Sequence, residues 1–224
     1  MTEIEAREEI CRVGKSLFDR GYVHATAGNI SMRLDEEQGG GFLISPTDAC
    51  LGTLAPDRLA RLDADGHQIC GDKASKTIAL HVKIYSASKL FDRQTCCIIH
   101  THSRHCVALS LHSTDEELLP ALTPYFVMKV GHVPLIPYHR PGDPAAAEWV
   151  ARTIRRYGEA RTPIRAVMLA RLGPTVWHDS PAQAMATLEE VEETAQLCLI
   201  SNRQAAALTS TQIDELRSVF GAHW

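Results

Sequence analysis

The chain has 224 residues, 45% hydrophobic and 22% charged, with a formal net charge of −4, which is ordinary globular usage and length enough for a substantial core. That charge excludes a general nucleic-acid or membrane-surface binder, since both need a basic footprint. Seven cysteines, irregularly spaced and without a C-x-x-C, predict reduced thiols in a cytoplasmic protein rather than a disulfide framework. The charged N-terminus lacks a signal-peptide core, and no apolar run approaches membrane-span length.

The spacing of Ile4, Ile10, Val13, Leu17 and Phe18 predicts an amphipathic helix over 4–20, acidic early and basic late, as the helix dipole favours. A turn entering a strand follows at 24–34, then a glycine tip and strand at 39–45. The Asp-Gly pair within 60–70 signals a hairpin. A helix is expected over 75–88, with Ser75 near its N-cap and Ile78, Val82 and Tyr85 on its apolar face. A buried strand at 95–102 leads into a helix from 103. Residues 133–143 read as a strand ending in a Pro-Gly turn, and 145–158 as a helix stopped by Gly158. Strands at 165–170 and 174–179 precede a long helix, 181–208, with Pro181 in its first turn. The tail 209–224 reads as a small helix or a partner-docking segment. Tight turns between several strands favour a mixed sheet covered by helices on both faces. Without repeats or linkers, one domain over 1–224 is expected.

Two groups of residues carry chemistry. In I-I-H-T-H-S, residues two apart in a strand point the same way, so His100 and His102 present two imidazoles on one face. Two imidazoles suit Zn²⁺ or a similar divalent ion; two ordinary polar histidines at a strand end are the alternative. The second group is phosphate-friendly. The stretches 27–31 (AGNIS), 45–49 (SPTDA) and 74–77 (ASKT) combine small residues, hydroxyls and free backbone N–H groups, and Lys76 adds a charge near a helix start. Each alone is also an ordinary turn or cap.

Taken in order, G-N-x-S, S-P-T, the Ser-containing helix start and H-T-H-S resemble the class II aldolase/adducin family. REEICRVGKSLFDRGY, SPTDACLG, GDKASK, LTPYFVMKVGHVPLIPY and RPGD are similar to its 3-oxo-tetronate 4-phosphate decarboxylase branch. The resemblance runs from about residue 6 to about residue 200. It implies a three-layer α/β/α sandwich with a mixed, mostly antiparallel sheet. It further implies a homotetramer with sites at subunit interfaces, a divalent metal, and a small phosphorylated sugar acid as substrate.

Position by position, the resemblance makes His100 and His102 metal ligands. It makes Gly28, Asn29, Thr47, Asp48, Ser75 and Lys76 contacts to phosphate and substrate, and Tyr138 a proton donor reaching a neighbour's site. Two positions depart from the family pattern. Leu172 stands where a third metal-binding histidine belongs, and Thr77 where an acid/base glutamate belongs. Leucine cannot coordinate an ion, and threonine is no carboxylate base near neutral pH. A weakly held metal is therefore expected, with His105 or His139 as candidate replacement ligands. Besides the decarboxylase, a lyase acting on a different acid and a non-catalytic binding or scaffold protein of the same fold stay open.

Overall fold

The computed structural model describes residues 1–224. Its centre is an eight-stranded sheet in the order β4-β3-β2-β1-β5-β8-β7-β6. The strands are β1 (Asn29–Arg33), β2 (Phe42–Ile44), β3 (Ala60–Leu62), β4 (Gln68–Cys70), β5 (Cys97–His100), β6 (Leu135–Ile136), β7 (Ala166–Leu169) and β8 (Gly173–His178). Only β6 and β7 run parallel; every other pair is antiparallel.

Side-chain alternation along the central strands builds two cores. Cys97, Ile99, Ala166, Met168 and Val176 face one way, where α1 (Glu3–Asp19), α3 (Arg104–Ser110), α4 (Pro124–Lys129) and α6 (Pro181–Ile200) cover them. Ile98, Val167, Leu169 and Trp177 face the other way, against α2 (Ile78–Ser88) and α5 (Pro144–Glu159). The result is the expected three-layer sandwich. A last helix, α7 (Ser210–Phe220), packs Leu216 near Ala121 and Val127, so the tail forms a helix docked on its own chain. All seven cysteines are free. No helix is long and apolar enough to cross a membrane.

Several boundaries differ from expectation for identifiable reasons. The sixth strand is only two residues long, because Pro134 and Pro137 flank it and lack the N–H a ladder needs. The long helix ends at Ile200, where Asn202 and Arg203 enter the left-handed region. Gly158 does not stop α5 but lies inside it, where a side chain would strike the Phe91 ring. Helix α2 starts at Ile78 with Thr77, not Ser75, at its N-cap, and its buried face carries His81, Ile84 and Tyr85. Helix α4, with Thr123 accepting the Phe126 N–H, had no counterpart in the sequence reading.

Candidate functional site

His100 ends β5 at the middle of the sheet, paired with Asn29 of β1 on one side and Thr175 of β8 on the other. Directly opposed residues share a face, so all three look toward the α2/α5 layer. His102 lies just beyond the strand. The two imidazole centres are 5.2 Å apart and the rings nearly perpendicular.

Three loops meet this point because they are stitched together. Ser45 Oγ accepts the Ile30 N–H, Ser75 N–H donates to the Ser45 carbonyl, and Thr47 N–H donates to the Lys73 carbonyl. Gly28 has φ +84°, and a Cβ there would lie 2.9 Å from the His100 carbonyl oxygen and 2.7 Å from Val23. Only glycine lets this loop pass so close.

The loops enclose a cavity of about 440 Å³. Gly28, Asn29, Thr47 and Asp48 line one part of it; Ser75, Lys76 and Thr77 line another; His100, His102 and Leu172 complete it. The separate phosphate-friendly stretches and the histidine pair therefore form one site. Asn29 is buried in the cavity lining and its Oδ1 has no protein partner, which leaves an acceptor for a ligand there.

The turn before α2 is narrower in its offer than the sequence implied. Thr77 N–H donates to Ser75 Oγ, and Ser75 N–H is taken by Ser45. Lys76, exposed on the cavity wall, retains its ammonium and its own N–H for a ligand. Arg140 brings a second cation to the wall. The sequence reading gave it no role, although it opens the R-P-G-D stretch. Asp143 of that stretch is occupied as the N-cap of α5.

The histidine pair is chemically prepared for a cation. Nδ1 of His100 lies 3.0 Å from the Pro174 carbonyl, which can only accept, so this nitrogen carries the proton and Nε2 keeps its lone pair. A hydrogen bond of this kind orients metal-ligating histidines. Burial pushes the His100 imidazole down to about 3, with His102 and His81 adding to the effect. Burial and then the neighbouring His24 lower that of His102. Both rings are thus neutral donors at ordinary pH. Two imidazoles on one tetrahedral ion, at Zn–N of about 2.1 Å, have ring centres about 5 Å apart, as these have. The residues fit a divalent ion held from this side, while Leu172 offers it nothing.

Neither candidate replacement for Leu172 lines its own chain's cavity, and His139 would have to enter from a neighbouring chain. His105 Nδ1 lies 2.8 Å from Glu192 on α6, across the sheet from the cavity. His139 does not line the cavity. Tyr138 does not reach its own chain's site either: it is 61% exposed and lines a separate cavity of about 720 Å³ with Trp149 and Arg152. Asp63, Asp65 and His67 bring donor atoms together in the exposed β3–β4 turn, where Asp63 Oδ1 already accepts two backbone N–H groups. Sequence reasoning missed His24, whose ring stands edge-on to His102 with centres 6.3 Å apart. Its only signal was a position five residues before Asn29.

Comparison with known proteins identifies the family. Residues 8–199 match the family described as Class II Aldolase and Adducin N-terminal domain. The chain is 48% identical to a 3-oxo-tetronate 4-phosphate decarboxylase from Cupriavidus necator, over 100% of this chain and 99% of that protein. It is 40% identical to the decarboxylase of the same name from Escherichia coli K12, over 96% and 97%. The crystal structure of YgbL from Escherichia coli superposes with a TM-score of 0.82 at 38% identity, covering 96% of this chain and 99% of that one. An L-fuculose 1-phosphate aldolase shares the fold, with a TM-score of 0.78 at 21% identity and coverage of 97% and 96%. This chain belongs to the class II aldolase and adducin family.

Proposed function

We propose that this protein is a carbon–carbon lyase that decarboxylates 3-oxo-tetronate 4-phosphate to dihydroxyacetone phosphate. The observation that carries the reading is the convergence of the Lys76 turn and the Gly28 and Thr47 loops on one cavity with the His100–His102 pair. One end suits a phosphate, the other a ketone. Relatives of matching length and high identity bear the name of that activity.

In the reaction the C1–C2 bond breaks, CO₂ leaves, and the electron pair passes to the C3 oxygen. A proton then adds at C2. Lys76 and its N–H hold the phosphate, and Asn29 and Thr47 fix the chain of the substrate. His100 and His102 would hold the divalent metal, Zn²⁺ in our reading, which when bound supplies Lewis-acid polarisation of the ketone. The departing group is already a carboxylate and no substrate hydroxyl has to be deprotonated to break the bond, so Thr77 in place of a glutamate does not block the step as it would an aldol cleavage. A proton donor is still needed. We assign it to Tyr138 of a neighbouring copy, in a homotetramer whose sites lie between subunits. Its exposure, beside an exposed Trp149 with Arg152 stacked at 4.5 Å, is the composition of a contact surface.

Thr77 and Leu172 favour a second reading, a binding protein that keeps the fold without turnover. Incubating the purified protein with 3-oxo-tetronate 4-phosphate and Zn²⁺ separates the two. Equal yields of CO₂ and dihydroxyacetone phosphate establish the lyase. Saturable binding without product establishes the second reading.

A further inference from the structure

We propose that His24 is the third protein ligand of the metal centre, replacing the donor that Leu172 cannot supply. The inference rests on reading His100 and His102 as a metal pair, and not on the identity of the substrate.

The geometry is close to what one ion requires. Neighbouring imidazoles on a tetrahedral ion have centres about 5 Å apart. His100 and His102 stand at 5.2 Å, and His24 and His102 at 6.3 Å with the rings 71° from coplanar. Bringing His24 to a shared ion takes a ring shift of at least about 1 Å toward His102, and onto a cavity wall it does not line in this structure. His24 is exposed, so a side-chain rotation meets no packed core.

The loop holds His24 in place for this. The Ala27 N–H donates to the His24 carbonyl at 2.9 Å, closing a tight turn. Ala25 inside it has φ +48°, a left-handed conformation that costs an alanine roughly 1 kcal/mol. The far end of the turn is fixed by Gly28 against the His100 carbonyl. Backbone that is both strained and pinned holds the exposed imidazole beside the His102 ring.

His105 is bonded to Glu192 across the sheet; His139, like His24 itself, is off its own chain's cavity wall, and of these two only His24 stands ring-to-ring with His102. A third imidazole gives the protein-ligand count usual for a catalytic zinc, with the remaining position left for substrate oxygen.

The test uses full-length protein stripped of metal and titrated calorimetrically with Zn²⁺ alone, together with the visible spectrum of the Co²⁺ form. Expected results are one ion per chain, and a loss of more than tenfold in affinity for His24→Ala with weaker Co²⁺ bands as a nitrogen gives way to water. Adding Leu172→His to His24→Ala restores the affinity. The metal-free melting temperature of His24→Ala stays at the wild-type value, because the side chain is exposed. Equal Zn²⁺ affinity and Co²⁺ spectra for wild type and His24→Ala, with His100→Ala abolishing uptake, overturn the role of His24 alone. Uptake unaffected by His100→Ala overturns the centre itself.

Discussion

At the scale of single residues, the site depends on a few groups whose surroundings leave them unfinished. Lys76 is one: the N–H groups on either side of it are spent on Ser45 and Ser75, so in the proposed site the ammonium would carry most of the anion binding. A charge-assisted hydrogen bond contributes about 1.5–3 kcal/mol. Lys76→Ala should therefore weaken binding of a phosphorylated acid by roughly tenfold or more, while its unphosphorylated analogue binds as before. Calorimetry with both ligands checks this, and equal weakening of the two contradicts it. His81 is another unfinished residue. It is fully buried, its Nδ1 lies 2.7 Å from Ser31 Oγ, and its Nε2 has no partner. Burial pushes its imidazole from 6.5 down to about 3. The folded state thus binds the proton less readily than the unfolded chain. The stabilisation is complete above pH 6.5 and is lost as the pH falls toward 3, by roughly 1.4 kcal/mol per pH unit. His81→Gln should flatten the acid side of the stability profile in that window, as followed by urea unfolding at several pH values. An unchanged slope would remove His81 as the cause.

At the scale of elements, the turn between β7 and β8 decides where Leu172 sits. Gly173 has φ +145°, and a side chain there would run into the Thr101 carbonyl. The turn is pressed onto the segment joining His100 to His102, which puts Leu172 in the cavity wall. Gly173→Ala should cost about 3 kcal/mol, from backbone strain plus displacement of that segment, and should lower the melting temperature. A neutral substitution would mean the turn is free to shift. These particulars also show what the sequence could and could not convey. Short, mostly apolar runs made β5, β7 and β8 legible, and Asp65-Gly66 marked the β3–β4 hairpin. The glycine at 173 looked like one more loop residue, because its reason is a carbonyl about seventy positions away. His24 was invisible as a ligand for the same cause: its partner His102 is near in space and far in sequence. Ser75 resembled an N-cap and does accept the Thr77 N–H, but it closes a turn in front of the helix. Tyr138 was singled out by the family pattern, yet nothing in its neighbourhood along the chain tells which copy's cavity it would serve.

At the scale of the whole molecule, the proposed loan of Tyr138 from a neighbour would make the site repairable by mixing. On that proposal Lys76→Ala and Tyr138→Phe would damage different halves of a shared site. Hybrid oligomers of the two should regain activity at about one quarter of their sites by random assortment, and a product assay on co-expressed chains checks it. No recovery would place Tyr138 in its own chain's chemistry or outside it. How copies can meet is constrained by the margins of the sheet. On one side β6 is two residues long between prolines, and its outer edge is already bonded to residues 116–118 through Leu118 N–H to the Val133 carbonyl and Leu135 N–H to the Glu116 carbonyl. On the other side β4 is three exposed residues, and Gln68 folds back onto the carbonyls of Cys70, Gly71 and Asp72. Neither margin offers a length of unpaired backbone for another molecule to extend. Self-association is thus left to side chains, whose chemistry a single substitution can reset, and the route by which sheets grow into fibres is closed while the fold is intact.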